Sequence, residues 1–435
     1  MTAPVVAIVG RPNVGKSTLF NRLTGRRQAI VEAAPGTTRD RIYGDVSWED
    51  KAFIVVDTGG LESGTTEGLV SQIRHQVELA IVEADIILFV VDGAVGLVAG
   101  DEEIAQRLRR SQKSVLLVAN KTDHARHEAG VAEFYRLGLG EPYMISAYHG
   151  RGVTELLDKL SELLPPFVST KREPGVMMLA IVGRPNVGKS QLLNAILGQE
   201  RAIVDEEAGT TRDALDTIFQ YDGRRLVLID TAGIRRRGRV ETGVEKYSVL
   251  RAVQAISRAD VALLVTEAVQ PINAQDLHIA GYVHDACKGL LLIVNKWDLV
   301  SDRDPAPYLV DIQNRLRFMP YVPVLFTSAL LGWGITDVLE QAWQVYEERQ
   351  RTIPVEKLQE WLEQTIAKHP PPSHGGRRLR LLSLSQEQTN PPTFVFQMTP
   401  PQAPHFSYRR YLENQLRQAF GFTGTPLRLI FKGRK

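Results

Sequence analysis

Eleven residues, Ala-Ile-Val-Gly-Arg-Pro-Asn-Val-Gly-Lys-Ser, occur twice in this chain, at Ala7–Ser17 and again at Ala180–Ser190. A solenoid unit spans only roughly 20–50 residues. An identical run recurring at an offset of 173 residues therefore implies two tandem globular domains. Other islands keep the same offset. Ala29-Ile30-Val31 returns as Ala202-Ile203-Val204, Gly36-Thr37-Thr38-Arg39-Asp40 as Gly209-Thr210-Thr211-Arg212-Asp213, and Asp57-Thr58 as Asp230-Thr231. The offset then drifts to 175 at Asn120-Lys121-Thr122-Asp123 and Asn295-Lys296-Trp297-Asp298, and to 182 at Ser146-Ala147 and Ser328-Ala329. Fixed islands separated by small insertions are what surface loops of variable length produce.

Each half alternates short apolar runs with longer amphipathic stretches. In the first half the pattern predicts strands over Val5–Val9, Ala52–Val56, Ile86–Val91, Ser114–Val118 and Tyr143–Ile145, with helices over Lys16–Leu23, Leu69–Ala84 and Asp101–Arg110. In the second half it predicts strands near Met178–Val182, Arg225–Ile229, Val261–Val265, Leu290–Val294 and Val322–Thr327. This rhythm reads as α/β, a mostly parallel sheet covered on both faces. After about Glu348 nothing repeats. A helix over Pro354–Lys368, strands over Arg377–Leu384 and Thr393–Met398, a helix over Tyr408–Phe420 and a strand over Leu427–Phe431 describe a third, smaller αββαβ domain. The expected boundaries are 1–166, a linker over 167–175 in a Pro- and Gly-bearing stretch, 176–349 and 350–435.

The 435 residues accommodate this plan. One cysteine, Cys287, excludes an intramolecular disulfide and a Cys-based zinc site. No run approaches the roughly 20 apolar residues of a membrane span, and Val5–Val9 leads straight into Gly10 rather than into a signal-peptide cleavage site. A monomeric cytoplasmic protein is expected, with neither membrane span nor disulfide partner.

The repeated run carries chemistry. Gly10-Arg11-Pro12-Asn13-Val14-Gly15-Lys16-Ser17 and Gly183-Arg184-Pro185-Asn186-Val187-Gly188-Lys189-Ser190 both fit G-x-x-x-x-G-K-[ST] between a predicted strand and helix. In such a loop successive backbone N–H groups face a phosphate at a helix N-terminus. Lys16 and Lys189 would neutralise β/γ oxygens, and Ser17 and Ser190 would offer a hydroxyl to Mg²⁺. In the two Asn-Lys-x-Asp segments, Asp123 and Asp298 can accept two hydrogen bonds from guanine, a donor pair that adenine lacks. Asn120 and Asn295 would tie this loop to the phosphate loop, and the stems of Lys121 and Lys296 would lie along the base. Asp57-Thr58-Gly59-Gly60 and Asp230-Thr231-Ala232-Gly233 fit D-x-x-G, with the aspartate on Mg²⁺ and the glycine amide sensing the γ-phosphate. Thr38 and Thr211 are favoured to complete the Mg²⁺ shell, with the adjacent Thr37 and Thr210 as alternatives. Ser146-Ala147 and Ser328-Ala329 complete the expected GTP contacts. Leu61 and Ile234 follow D-x-x-G where Ras-type enzymes carry a water-orienting glutamine, so hydrolysis needs another source of charge or orientation.

These motifs, the segment Asp230–Ala252 and the C-terminal Phe406–Phe431 resemble the Der (EngA) family, bacterial tandem GTPases of the Era-like group, over essentially the whole chain. The resemblance implies P-loop GTPase domains with a KH-like third domain, a role in assembling the large ribosomal subunit, and a potassium ion held partly by Asn13 and Asn186 that supplies the missing charge. Four features depart from the family pattern: Gln191 after Ser190, Glu267 where the first half has Asp92, a short non-acidic linker, and Gln397-Met398-Thr399-Pro400.

The formal charge of +2 looks unsuited to a nucleic-acid partner until its distribution is considered. Residues 351–435 hold 13 Lys/Arg against 5 acids, a surplus of +8, which leaves −6 on the remainder. A basic tail on two mildly acidic domains predicts an RNA footprint on the third domain. Within it, Gly421-Phe422-Thr423-Gly424 spells the GxxG of an RNA clamp. Because it joins a helix to a strand rather than two helices, it reads first as a helix-terminating turn. Arg235-Arg236-Arg237 and Arg239 follow D-x-x-G, where an RNA or interdomain contact stands beside a solvated loop. The alternative to a GTPase switch is an RNA-binding module whose GTP sites only regulate affinity.

Overall fold

In a computed structural model the strand–helix rhythm closes into two large sheets followed by a small one. The structure describes residues 4–24, 43–49, 51–58, 77–78, 80–81, 84–123, 130–164, 175–199, 202–204, 216–231, 249–270, 272–374, 377–400 and 404–433. The chain divides into two units, Met1–Thr170 and Lys171–Lys435.

The first unit is built from β1 (Val5–Val9), α1 (Lys16–Leu23), β2 (Tyr43–Trp48), β3 (Lys51–Asp57), β4 (Ile86–Asp92), α2 (Ala99–Arg110), β5 (Ser114–Asn120), β6 (Tyr143–Met144) and α3 (Val153–Leu163). Its sheet runs β2-β3-β1-β4-β5-β6, parallel except for the β2–β3 pair. Every residue of β1 and β4 is buried, as the apolar runs Val5–Val9 and Ile86–Val91 covered on both faces must be. Leu19, Phe20 and Leu23 of α1 and Leu156, Leu157 and Leu160 of α3 pack into the same core.

In the second unit come β7 (Met177–Val182), α4 (Lys189–Leu197), β8 (Ala202–Val204), β9 (Thr217–Tyr221), β10 (Arg224–Ile229), α5 (Val249–Arg258), β11 (Val261–Glu267), α6 (Ala274–Asp285), β12 (Gly289–Asn295), α7 (Ala306–Arg315), β13 (Val324–Phe326) and α8 (Ile335–Gln350). The sheet order is β13-β12-β11-β7-β10-β9-β8, the last two pairings being antiparallel. The strands β2, β8 and β9 were not anticipated from the apolar runs. Each belongs to an antiparallel edge and is too short or too interrupted to read as an apolar run: β8 is three residues long, β2 is broken by Gly44, Asp45 and Ser47, and β9 by Gln220. A local signal for β9–β10 does exist. Asp222-Gly223 turns between them with φ of 48° and 76°, the positive pair that a two-residue hairpin requires.

The same unit ends in α9 (Val355–Lys368), β14 (Ser373–His374), β15 (Arg377–Arg378), β16 (Arg380–Thr389), β17 (Pro392–Thr399), α10 (Phe406–Phe420) and β18 (Arg428–Gly433). The αββαβ plan is present as a three-stranded β16-β17-β18 sheet, with β17–β18 parallel. The expected strand over Arg377–Leu384 is two pieces, β15, which pairs with β14 in a short hairpin, and β16, which runs on to Thr389. Leu358, Trp361 and Leu362 of α9 and Leu412 and Leu416 of α10 form the core with Phe394 and Phe396.

This small sheet unit is fastened to the preceding one through buried polar groups. Gly424 N–H donates to the Tyr321 carbonyl at 2.8 Å, and Leu290 N–H donates to the Gly424 carbonyl at 2.7 Å. The buried Arg349 guanidinium donates to Thr425 Oγ1 and the Cys287 carbonyl, both at 2.9 Å, and to Asn390 Oδ1 at 2.5 Å. The Gly421–Gly424 turn is therefore occupied by protein, and Gly421, with φ 87°, ends α10 by donating to the Arg417 carbonyl. Among the described residues, no helix is long and apolar enough to cross a membrane.

Candidate nucleotide clefts

In both halves the phosphate loop connects a buried central strand to a helix that starts without a side-chain cap. Gly15 and Gly188 precede α1 and α4 at φ 95° and 96°, and neither helix has an acidic residue in its first turn. By contrast α6 is closed by a capping box between Asn273 and Asp276. Leaving the α1 and α4 N-termini uncapped keeps their N–H groups and the helix dipole available to an anion.

The lysines fold back over their own loops. Lys16 Nζ donates to the Gly10 and Arg11 carbonyls at 2.9 and 2.8 Å. Lys189 Nζ donates to Gly183 at 2.9 Å and also to the Arg184 carbonyl. Burial lowers the Lys16 pKa from its usual 10.5; Asp57 opposes that shift and Arg11 adds to it. Ser17 Oγ donates to Asp57 Oδ2 at 2.6 Å, so the D-x-x-G carboxylate at the end of β3 meets the hydroxyl at the start of α1. A hydroxyl and a carboxylate held together are hard oxygen donors that fit Mg²⁺. In the second half, Asp230 sits beyond the end of β10 at φ 55°, and its N–H donates to Asp216 Oδ1 at 3.0 Å. The neighbouring threonines are buried: Thr58 Oγ1 donates to the Ile8 carbonyl, and the Thr231 and Thr217 hydroxyls share a 2.7 Å bond.

Asn120 and Asn295 connect three segments. Asn120 Nδ2 donates to the Val14 carbonyl at 2.8 Å, and its Oδ1 accepts from Ala147 N–H at 2.9 Å. Asn295 makes the same pair with Val187 at 2.9 Å and Ala329 at 3.0 Å. Phosphate loop, Asn-Lys-x-Asp loop and Ser-Ala loop are thus joined by one buried amide in each half. Lys121 and Lys296, both left-handed at φ 67° and 60°, stand beside them. Asp123 is exposed and Asp298 half-buried. Asn13 and Asn186 are exposed and left-handed, at φ 66° and 64°. The Asn13 carbonyl accepts from Lys121 Nζ at 2.6 Å. Pro12 is exposed and Pro185 half-buried, while Val14 and Val187 anchor the loops in the cores. Thr38, Thr211, Gly59, Gly60, Leu61, Ala232, Gly233, Ile234 and the Arg235–Arg239 cluster lie outside the described residues.

Four ion pairs in the clefts carry no motif signature in the sequence, although the correspondence of Glu267 to Asp92 is visible there. Lys121 pairs with Asp92, and Lys296 with Glu267, each at 2.6 Å. The departure at Glu267 therefore keeps the ion pair with one more methylene. Arg11 pairs with Asp101 at 2.7 Å, and Arg184 with Asp276 at 3.0 Å. The available signal was positional, since 92 to 267 and 101 to 276 repeat the 175-residue offset of the Asn-Lys-x-Asp segments.

Fold and clefts define a tandem P-loop GTP-binding protein with a small C-terminal KH-like domain. The family described as "50S ribosome-binding GTPase" matches residues 5–121 and 178–296, and "KH-domain-like of EngA bacterial GTPase enzymes, C-terminal" matches 352–432. The chain is 50% identical to "GTPase Der" of Thermomicrobium roseum over 450 aligned positions, covering all of this chain and 97% of the relative. It is also 50% identical to that of Moorella thermoacetica, over 99% of each, and 47% identical to that of Geobacillus thermodenitrificans, over 100% of each. The chain belongs to the GTPase Der family, GTP-binding proteins that hydrolyse GTP.

Proposed function

We propose that this chain is a cytoplasmic GTP-driven switch acting in assembly and maturation of the large (50S) ribosomal subunit, with ribosomal RNA as its partner. One observation carries the reading: two clefts built alike share a chain with a basic KH-like domain, which hydrogen bonds fasten to the second cleft's own sheet. The matched family description, which names the 50S ribosome, supports the choice of particle.

In each cleft the loop N–H groups and the α1 or α4 N-terminus cradle the phosphates, with Lys16 and Lys189 turning from loop carbonyls to β/γ oxygens. Asp123 and Asp298 select guanine, while Asn120 and Asn295 hold the base loop to the phosphate loop. Ser17, Asp57 and Thr38 would hold Mg²⁺ in the first half and Ser190, Asp230 and Thr211 in the second. Bound there, the ion neutralises charge on the phosphates. No covalent residue is required, because phosphoryl transfer to water is carried by positioning and electrostatics.

Asn13 and Asn186 would help hold a potassium ion that supplies charge in place of a glutamine. Hydrolysis should then run markedly faster in KCl than in NaCl at equal ionic strength, and equal rates would remove potassium from the scheme.

Sedimentation with ribosomal subunits in a GTP analogue, in GDP and without nucleotide tests the whole reading. Co-migration with the large subunit in the analogue alone is expected. Co-migration regardless of nucleotide would favour the passive RNA-binding module, and no co-migration in any state would overturn the ribosomal partner.

A further inference from the structure

A carboxylate that is wholly buried is costly unless it is paired and hydrogen-bonded. Among the described residues two have no exposed surface, each in the first turn of a helix and each on the arginine of a phosphate loop. Asp101 of α2 has no exposed surface and takes both arms of the Arg11 fork, Nε at 2.7 Å and Nη2 at 3.1 Å. Asp276 of α6 is equally buried and accepts from Arg184 Nε at 3.0 Å, while Arg184 Nη1 donates to Gln270 Oε1 at 3.0 Å. The surroundings are shaped for the contact. A Cβ at Gly100 would lie 2.8 Å from Arg11 Cδ, so the residue preceding Asp101 is bare where the arginine stem crosses the helix.

The arginine is the middle of a chain of contacts. Its carbonyl accepts from the loop lysine, Lys16 to Arg11 and Lys189 to Arg184. Its guanidinium, a planar fork, is clamped by an acid projecting from a different element. Fixing the side chain limits how far the peptide carrying that carbonyl can rotate, and the carbonyl is one of two that locate the ammonium.

We propose that Asp101 and Asp276 are positioning residues for the phosphate-loop lysines, acting through Arg11 and Arg184. The proposal rests on the reading of these clefts as GTP sites and assigns part of their precision to acids outside every nucleotide motif. An acid in a helix's first turn also complements the helix dipole. Asp276 does serve the α6 capping box. Asp101 is the cleaner test.

The consequence is selective. The lysine serves β- and γ-phosphate oxygens, so loosening it costs more with a γ-phosphate present than with GDP. Full-length protein carrying Gly188→Ala, whose Cβ would fall 2.2 Å from Asn295 Nδ2 and so blocks the second loop, isolates the first cleft and is titrated with a fluorescent non-hydrolysable GTP analogue and with fluorescent GDP. Asp101→Asn should weaken the analogue about tenfold and GDP by less than about threefold, and on a Lys16→Met background should change analogue binding by less than about twofold. Equal losses for both nucleotides, equal losses with and without Lys16, or no loss would each overturn the proposal. If Asp101→Asn does not fold, Arg11→Lys replaces it; keeping the charge without the fork, it should give a smaller loss with the same dependence on Lys16. Failure of the chain with Asp101 and Lys16 intact to bind either nucleotide would instead defeat the GTP-site reading itself.

Discussion

Gly15 has no room for a methyl group. A Cβ there would come within 2.3 Å of Asn120 Nδ2, and at Gly188 within 2.2 Å of Asn295 Nδ2. Both glycines also hold φ near 95°, a conformation that costs a residue with a side chain about 1–3 kcal/mol. The second glycine of each loop is thus required twice, by its own backbone and by the amide from the base loop. Gly15→Ala should lower nucleotide binding from about two per chain to about one. Equilibrium dialysis with labelled GDP reads this directly, and retention of two bound nucleotides would show that the first cleft tolerates the displacement of Asn120. Residues of this kind were legible in the sequence because the phosphate-loop pattern specifies them. The ion pairs of Asp92, Glu267, Asp101 and Asp276 were not, because an acid near the start of a helix or the end of a strand has the same local appearance whether it faces solvent or a loop cation.

Among the elements, the central parallel strands were legible throughout: β1, β4, β5, β11 and β12 follow their apolar runs to within two residues at either end. Burial on both faces removes polar residues from such strands, and the run marks their length. The antiparallel edges β2 and β9 are interrupted by polar residues, and β8, though apolar, is three residues long. Around the tail, the same composition carries another meaning once folded. Gly424 takes φ 70°, and a Cβ on it would lie 2.4 Å from Val345 Cγ2 in α8. Gly424→Ala should destabilise the second unit by about 1–3 kcal/mol, read as a lower midpoint for its thermal transition. An unchanged midpoint would mean that the turn does not need its seat on α8.

For the molecule as a whole, tail basicity is partly spent within the protein. Arg417 lies 3.6 Å over the Tyr321 ring and donates to the carbonyls of Phe422 and Thr425, both at 2.9 Å. Arg351 pairs with Glu348 at 3.0 Å, and Lys432 with Glu387 at 3.0 Å. Arg380, Arg409, Arg410 and Arg428 remain exposed and carry the proposed RNA footprint. The duplicated α/β plan, the third domain, the guanine preference and the family all follow from the sequence, because each is written in local patterns or in a repeat that local patterns make visible. Tertiary structure decided which acids clamp the phosphate loops, which arginines hold the KH-like domain in place, and that the GxxG turn is seated against α8 and the ends of the second sheet. Those outcomes depend on which distant side chains meet away from water, and there a charge or a glycine takes its role from its partner rather than from its neighbours in the chain.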